Sequence, residues 1–399
     1  MNTDIDFFDQ RNYKISKFFA SVIGTWPYHS KLRNRLIIFL FIVFFIVEGI
    51  PKVLALIVHA NDSRVMLEAI SNWAANVMSS VKFMNMIFRE KKLKKLFERM
   101  KSDWNTLLND QERSILESYA DTGRVLATGY AASVLATTLM FVLEPAIPQL
   151  QTLLFNATKE PVKFAIPLEY IIIDKEKYYW ILLSVSSTCI MGIVTCIVSS
   201  DVVFIVFLQH ACGLFAVVGH RLENFEKNET YDERERESSA SKRRDYEAEH
   251  AAKCIVSHHE ALKFAEILEA TYIWCFGIVV LASLPMLSVT AVQVMAPGNT
   301  VQELMKYAMY AGVQLLHLFF DCFLSQKLTD HSLNIQERIA YGRWYNNSIK
   351  SKKILVFITM RSQLPCYLTA GKVIILSIEN YAKMVKTAAS YFTVLVSTQ

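Results

Sequence analysis

The sequence predicts an all-α polytopic membrane protein of seven transmembrane helices, with a cytoplasmic N-terminus, an extracellular C-terminus and a cytoplasmic helical anchor region. Three observations predict it. Of the 399 residues 53% are hydrophobic yet 20% are charged, and mean hydropathy is +0.26, so apolar bundles must alternate with solvated helices. Seven segments approach the roughly 20 apolar residues needed to cross about 30 Å of hydrocarbon. Of the 42 Lys and Arg, 31 fall in the N-terminus, 89–124, 219–270 and 326–365, against five in 59–64, 148–178, 297–300 and the final residues. Basic connections stay in the cytoplasm, so the N-terminus is inside and an odd number of spans leaves the C-terminus outside.

Taken in order, the first span is 36–58, LIIFLFIVFFIVEGIPKVLALIV, with no cleavable signal peptide before it, so this run itself targets the chain to the membrane. The second, 65–88, contains Trp73, Asn76 and Lys82, and the third covers about 124–147. A long apolar run, 179–218, is the fourth; 271–296 and 301–325 are the fifth and sixth. These six spans and their cytoplasmic extensions make up 1–325. Residues 326–399 hold an anchor helix and the seventh span, which the pattern starts near Pro365. The second, third and seventh spans carry polar residues that are tolerable only against other helices or water. Segment 89–118 places Leu93, Leu96, Phe97 and Met100 on one face, as an amphipathic helix does. Segment 226–250 has dense mixed charge around a Ser-rich piece expected to be mobile. Both read as solvated extensions of neighbouring helices or as regulatory docking segments. Sequons at Asn61 and Asn156 fall on the outer side, where glycosylation and chance occurrence are both open.

Nothing points to an enzyme or a cofactor. The seven cysteines (Cys189, Cys196, Cys212, Cys254, Cys275, Cys322 and Cys366) avoid the outer loops and show no metal-ligand spacing, so they read as small apolar fillers. His258-His259-Glu260 lacks the i, i+4 histidines of a helical zinc site and reads as a solvated face. The basic residues flank apolar runs without interleaved aromatics, which argues against nucleic acid.

Ionisable residues within spans say more. Glu48 and Lys52 lie i, i+4 on the first span and can pair beside a kink at Pro51. Glu379 and Lys383 repeat that spacing on the last span, which also holds Lys372, Asn380, Lys386, Thr387 and Ser390. So polar a helix lies centrally in a bundle or lines water. At about 100° per residue, Lys383, Thr387, Val394 and Thr398 fall within about 60° of one another. The face passes from polar to apolar outward. Copies around an axis would form a pore with a dewetting gate; a single copy would pack inside a monomeric bundle.

The last sixty residues contain Trp344-Tyr345, a basic helix before Arg361-Ser362-Gln363, the block Leu368–Gly371, and the ending Ser390-Tyr391-Phe392-Thr393-Val394-Leu395. This region resembles the C-terminal region of insect odorant receptors; upstream, the similarity lies in topology, span order and the Gln314-Leu315 region. The resemblance implies a subunit of a ligand-gated, non-selective cation channel in the plasma membrane of an olfactory neuron's dendrite. It implies a tetramer, with the last helix lining the pore and cytoplasmic segments sharing an anchor. Val394 then corresponds to the hydrophobic gate, with Tyr391 behind it. The family's co-receptor has Leu where this chain has Thr398, and a large insertion in the second cytoplasmic loop that is absent here. The chain thus looks like a tuning subunit that needs the co-receptor in a heterotetramer, surrounded by membrane lipid.

The resemblance also places a small volatile odorant in the outer half of the membrane, among the second to sixth spans. Those stretches offer Met66, Ile70, Trp73, Met140, Phe141, Trp180, Met286, Met305, Tyr307 and Tyr310. Ordinary helix packing explains each residue singly; the cluster suits an apolar ligand. Gustatory receptors of the same superfamily end in a Thr-Tyr motif and Gln-Phe, which this chain lacks. A G-protein-coupled receptor would need the opposite orientation, and a secondary transporter would favour internal repeats. An epitope appended after Gln399 should bind antibody on intact cells; binding only after permeabilisation contradicts the orientation.

Overall fold

A computed structural model describes residues 7–155, 164–170, 173–224 and 239–397. Twelve helices are described: α1 Lys14–Val22, α2 Lys31–Val58, α3 Ser63–Phe88, α4 Glu90–Asp103, α5 Asp110–Leu143, α6 Ala146–Phe155, α7 Tyr179–Glu223, α8 Ser239–Met295, α9 Val301–Leu333, α10 Ile335–Tyr341, α11 Ile349–Ser362 and α12 Ile378–Ser397. Among the described residues the short 3-10 turns Phe7–Asp9, Trp104–Thr106 and Trp344–Asn346 and one two-stranded hairpin, β1 Thr369–Ala370 with β2 Ile374–Ile375, accompany them. Here α2, α3, α5, α7, α8, α9 and α12 correspond to the seven predicted spans. Five of these (α2, α5, α7, α8 and α9) are long and apolar enough to cross a membrane, while α3 and α12 carry more polar residues.

Long α7, 45 residues, is the spine of the bundle and is buried along most of its length. It accepts α5 through a stripe of small buried residues, Ala120, Gly123, Ala127 and Ala131, spaced three or four apart. Such a stripe lets two backbones approach closely where apolar burial cannot distinguish protein from lipid. A Cβ added at Gly123 would stand 3.2 Å from Gln209 Cβ, which shows how close they are.

Toward the basic, inner side the spans continue beyond hydrocarbon and dock short helices. Leu93, Leu96, Phe97 and Met100 of α4 are all buried, as their spacing predicts, and Phe97 meets Trp26 and Phe207. Arg221 at the end of α7 clasps Glu112 at the start of α5 with two bonds, Nε to Oε1 at 2.9 Å and Nη2 to Oε2 at 2.7 Å. It also donates to Ser257 of α8 and to the Thr106 carbonyl. Burial pushes the Glu112 carboxyl up, but the Arg221 fork and the Leu108 N–H outweigh it and hold the group below the usual carboxylate range. The clasp therefore stabilises the inner bundle above that range and weakens only as pH falls through the lowered pKa.

Of segment 226–250, residues up to 238 lie outside the described residues; from Ser239 onward it is part of α8, so one 57-residue helix runs from the inner side through the fifth span. Two expectations need correction. His258 is buried rather than solvated; burial, aided by Arg361 and His259, pushes its imidazole down to about 4. The last span begins at Ile378, not near Pro365. Gly371 and Lys372 both have a φ of 63°, two consecutive left-handed residues that no right-handed helix can contain, and they turn the chain into the hairpin. Lys372 thus sits at the hairpin tip, outside the helix.

The hairpin is seated on α8. The Gly371 N–H donates to the Ile273 carbonyl at 2.9 Å and the Thr369 hydroxyl to Glu269 at 2.8 Å. A Cβ at Gly277 would lie 3.0 Å from the Gly371 backbone, so glycine is required for the two chains to touch. Gly277→Ala should destabilise the purified protein by roughly 1–3 kcal/mol, whereas Gly129→Ala, which meets open space, should leave the thermal midpoint nearly unchanged. Equal midpoints for both variants would contradict the seating.

Candidate functional site

Two regions of the bundle are candidates for function: a cluster near the outer ends of α3, α8 and α9, and the face of α12. In the first, Glu68 of α3 pairs with Lys306 of α9 at 2.7 Å and accepts the Tyr307 hydroxyl at 3.3 Å. Lys306 also stands 5.7 Å from the ring centroids of Phe141 and Tyr307, so a cation caps the aromatic wall. One turn inward, the Tyr310 hydroxyl reaches the Ser71 carbonyl at 3.5 Å and Met286 sulfur at 3.8 Å, both long contacts. Thr290 links Ser71, at 3.2 Å, to the Gln314 amide, at 3.0 Å. Gln314 Oε1 and Gln293 Nε2 are buried without a partner among the described residues. The cluster joins apolar and aromatic walls to the Glu68–Lys306 pair and a few spare polar atoms.

The ten sequence-derived pocket residues divide. Met286, Tyr307 and Tyr310 come together around Glu68 and Ser71, and Phe141 joins them through Lys306. Trp73 instead faces α2, where it lines a cleft of about 340 Å³ with Ile46, Gly49, Ile50, Val53 and Leu54. Ile70 is exposed on the same helix and Met66 is half-buried. Met140, Trp180 and Met305 are exposed on the outside of the subunit. Sequence reasoning missed Glu68, Ser71, Thr290 and Gln314 at this place, although Glu68 and Ser71 lie three apart on a span that also contains Lys82.

Rigid connections frame the cluster. Between α8 and α9 the turn uses Gly298 at a φ of 83°, and Asn299 Nδ2 donates to the Gln293 carbonyl at 2.8 Å. Thr300 and Glu303 then form a reciprocal capping box at the start of α9. Glu48 and Lys52, 3.7 Å apart and buried, pair in α2 as their spacing predicts, and the Pro51 carbonyl receives the Glu169 N–H at 3.1 Å from the outer loop.

The α12 helix has two unlike faces. Met384 and Ala388 are buried, and the Ala388 carbonyl accepts the Ser288 hydroxyl of α8 at 2.9 Å. On the other face Lys383, Lys386, Thr387, Ser390, Tyr391 and Val394 are exposed. Lys383 pairs with Glu379 at 2.6 Å, and both side chains are more than half exposed. Thr398 lies outside the described residues, as does the Asn156 sequon, while Asn61 is exposed in the turn between α2 and α3.

Deeper in the bundle, Lys82 of α3 is fully buried and donates to Asp201 of α7, with His317 Nε2 of α9 2.6 Å away. Tyr130 of α5 donates to the second Asp201 oxygen at 2.5 Å. Asp201, His317 and Asp321 are close enough to surround a cation, and the cation seated at the first two is the Lys82 ammonium.

The architecture and sequence agree in their relatives. Along 97% of this chain the fold matches the solved olfactory receptor OR5 from Machilis hrabei, with a TM-score of 0.79 for its complex with eugenol and 0.74 for another structure of that receptor; each is 16% identical in sequence, and the matches cover 98% and 97% of those chains. Odorant receptor 82a of Drosophila melanogaster is 21% identical over 89% of this chain and 90% of its own length. Odorant receptor Or2 of Anopheles gambiae is 26% identical over 30% of each chain. The 7tm odorant receptor profile matches residues 64–389, from the start of α3 to within α12, and the chain belongs to that family of insect membrane receptors.

Proposed function

We propose that this chain is the odorant-binding, tuning subunit of a ligand-gated, non-selective cation channel in the plasma membrane, working in a heterotetramer with the olfactory co-receptor. The observation that carries the channel reading is the open face of α12. Glu48 with Lys52, Lys82 with Asp201 and Lys306 with Glu68 pair inside the subunit, while Glu379, Lys383 and Lys386 face outward. A row of charge and hydroxyls is untenable against lipid and is natural against water. Four such faces around an axis would line an aqueous path, narrowing to an apolar ring at Val394 that opens by wetting.

The odorant reading rests on the cluster of Met286, Tyr307, Tyr310 and Phe141, whose walls suit a small volatile molecule. Eugenol, held by the Machilis receptor, is of that size class. A ligand of about ten heavy atoms gaining roughly 0.3 to 1.5 kcal/mol per atom reaches micromolar affinity without an ion pair. Binding opens the pore only if the open arrangement is preferred. The route supporting this is short: α9 carries Tyr307 and Tyr310, and further along it Phe319 packs on Tyr381 of α12 at 5.5 Å. Glycosylation at Asn61 fits its exposure on the outer side.

Voltage clamp of cells expressing this chain with and without a co-receptor, across a volatile panel, tests the proposal. Currents should need both chains and persist when G-protein signalling is blocked; dependence on G proteins would refute the channel reading. Tyr310→Ala should raise the half-maximal odorant concentration about ten-fold or more, since it removes a ring and leaves Ser71 and Met286 uncovered. Tyr307→Ala should weaken the response less, because Glu68 keeps Lys306. Surface delivery should be unchanged in both, and unchanged dose responses would remove the pocket from this cluster.

A further inference from the structure

Helices α3, α5, α7, α8 and α9 converge in the inner half of the membrane on a group of side chains that neither the odorant cluster nor the pore face uses. Its charged members are Lys82, Asp201 and Asp321, all buried, with His317 between the two carboxylates. Tyr130 faces them from α5, and Tyr272 and Cys275 face them from α8. α12 meets this stretch of α9 through Tyr381, which lies against Phe319.

The charges do not balance as written. Lys82 cancels Asp201, its hydrogen-bonded partner, and leaves Asp321 over. His317 stands between the two carboxylates without giving Asp321 a hydrogen bond. His317 Nε2 is 2.6 Å from the Lys82 ammonium, which has hydrogens and no lone pair, so the ring nitrogen must accept. The same nitrogen lies 3.2 Å from Asp201 Oδ2, the oxygen that accepts the Tyr130 hydroxyl, while Lys82 donates to Oδ1. The other ring nitrogen, Nδ1, stands 3.9 Å from Asp321 Oδ2, beyond hydrogen-bond reach. Asp321 shares the Lys82 charge with Asp201 but has no hydrogen-bonded partner for its carboxylate among the described residues, and such a buried anion is the species an apolar interior tolerates least.

We propose that Asp321 is a proton-binding site: its carboxyl carries the proton that makes the cluster neutral, while Asp201 alone is ionised against Lys82. Loss of that proton to water would present a second anion to Lys82 and change the seating of α9. The site therefore makes the α3–α9 contact, which joins the odorant cluster to the pore helix, dependent on proton occupancy.

The two aspartates should behave differently. In the purified protein, infrared spectroscopy should show a protonated carboxylic acid carbonyl stretch that is missing from Asp321→Asn. Asparagine mimics the neutral acid, so this variant should reach the cell surface within about two-fold of the wild type, whereas Asp201→Asn strands Lys82 and should fall about ten-fold or more. Combining Lys82→Gln with Asp201→Asn removes both charges and should restore delivery. An infrared band unchanged by Asp321→Asn, or equal losses for the two single variants, would overturn the proposal. Neither readout requires odorant or current, so the result is independent of the channel reading.

Discussion

Hydrocarbon tolerates no unpaired charge, and in this molecule that constraint decides how the spans are joined. A charge left alone at the centre of a membrane helix costs about 2.5–3.5 kcal/mol by the most lenient scale. Glu48 answers Lys52 within α2, Lys82 of α3 is answered by Asp201 of α7, and Lys306 of α9 by Glu68 of α3. The last two pairs cross between helices, so they specify neighbours as well as neutralising charge. Against that pattern α12 stands apart: its buried edge packs on α8 and α9, while its ionised residues look away from the subunit. The same rule that closes the bundle leaves this one face in need of water.

Close packing supplies what charge pairing does not. Small residues let α5 lie against α7, and Gly277 lets the hairpin before α12 rest on α8. Helix α12 is consequently held at its inner end by the hairpin's backbone contact to α8 and along its length by α8 and α9 side chains.

Much of this was legible in the sequence. Length and hydropathy located the spans, the imbalance of Lys and Arg oriented them, and the spacing of Leu93, Leu96, Phe97 and Met100 named a buried face. Pairing of Glu48 with Lys52 followed from i, i+4 spacing alone. What escaped were features created between elements. Asp201 and Asp321 sit in runs apolar enough that a single carboxylate does not interrupt them, and nothing local shows that Lys82 of α3 and Asp201 will meet. Periodicity could say that Tyr307 and Tyr310 share a face but not that Met140, Trp180 and Met305 turn outward, because in lipid both faces of a helix may be apolar. The hairpin was hidden because Lys372 adopts a left-handed backbone that its residue type does not announce.

The most direct test of the account is whether water reaches the open face of α12. Single cysteines at Thr387 and at Leu281, an exposed apolar position on α8, would be treated with a membrane-impermeant thiol reagent in cells expressing the chain with the co-receptor. The account predicts that the cysteine at 387 reacts, faster while odorant is present, and that the one at 281 stays protected by lipid. Protection at 387 under both conditions, with the protein at the surface, would contradict it.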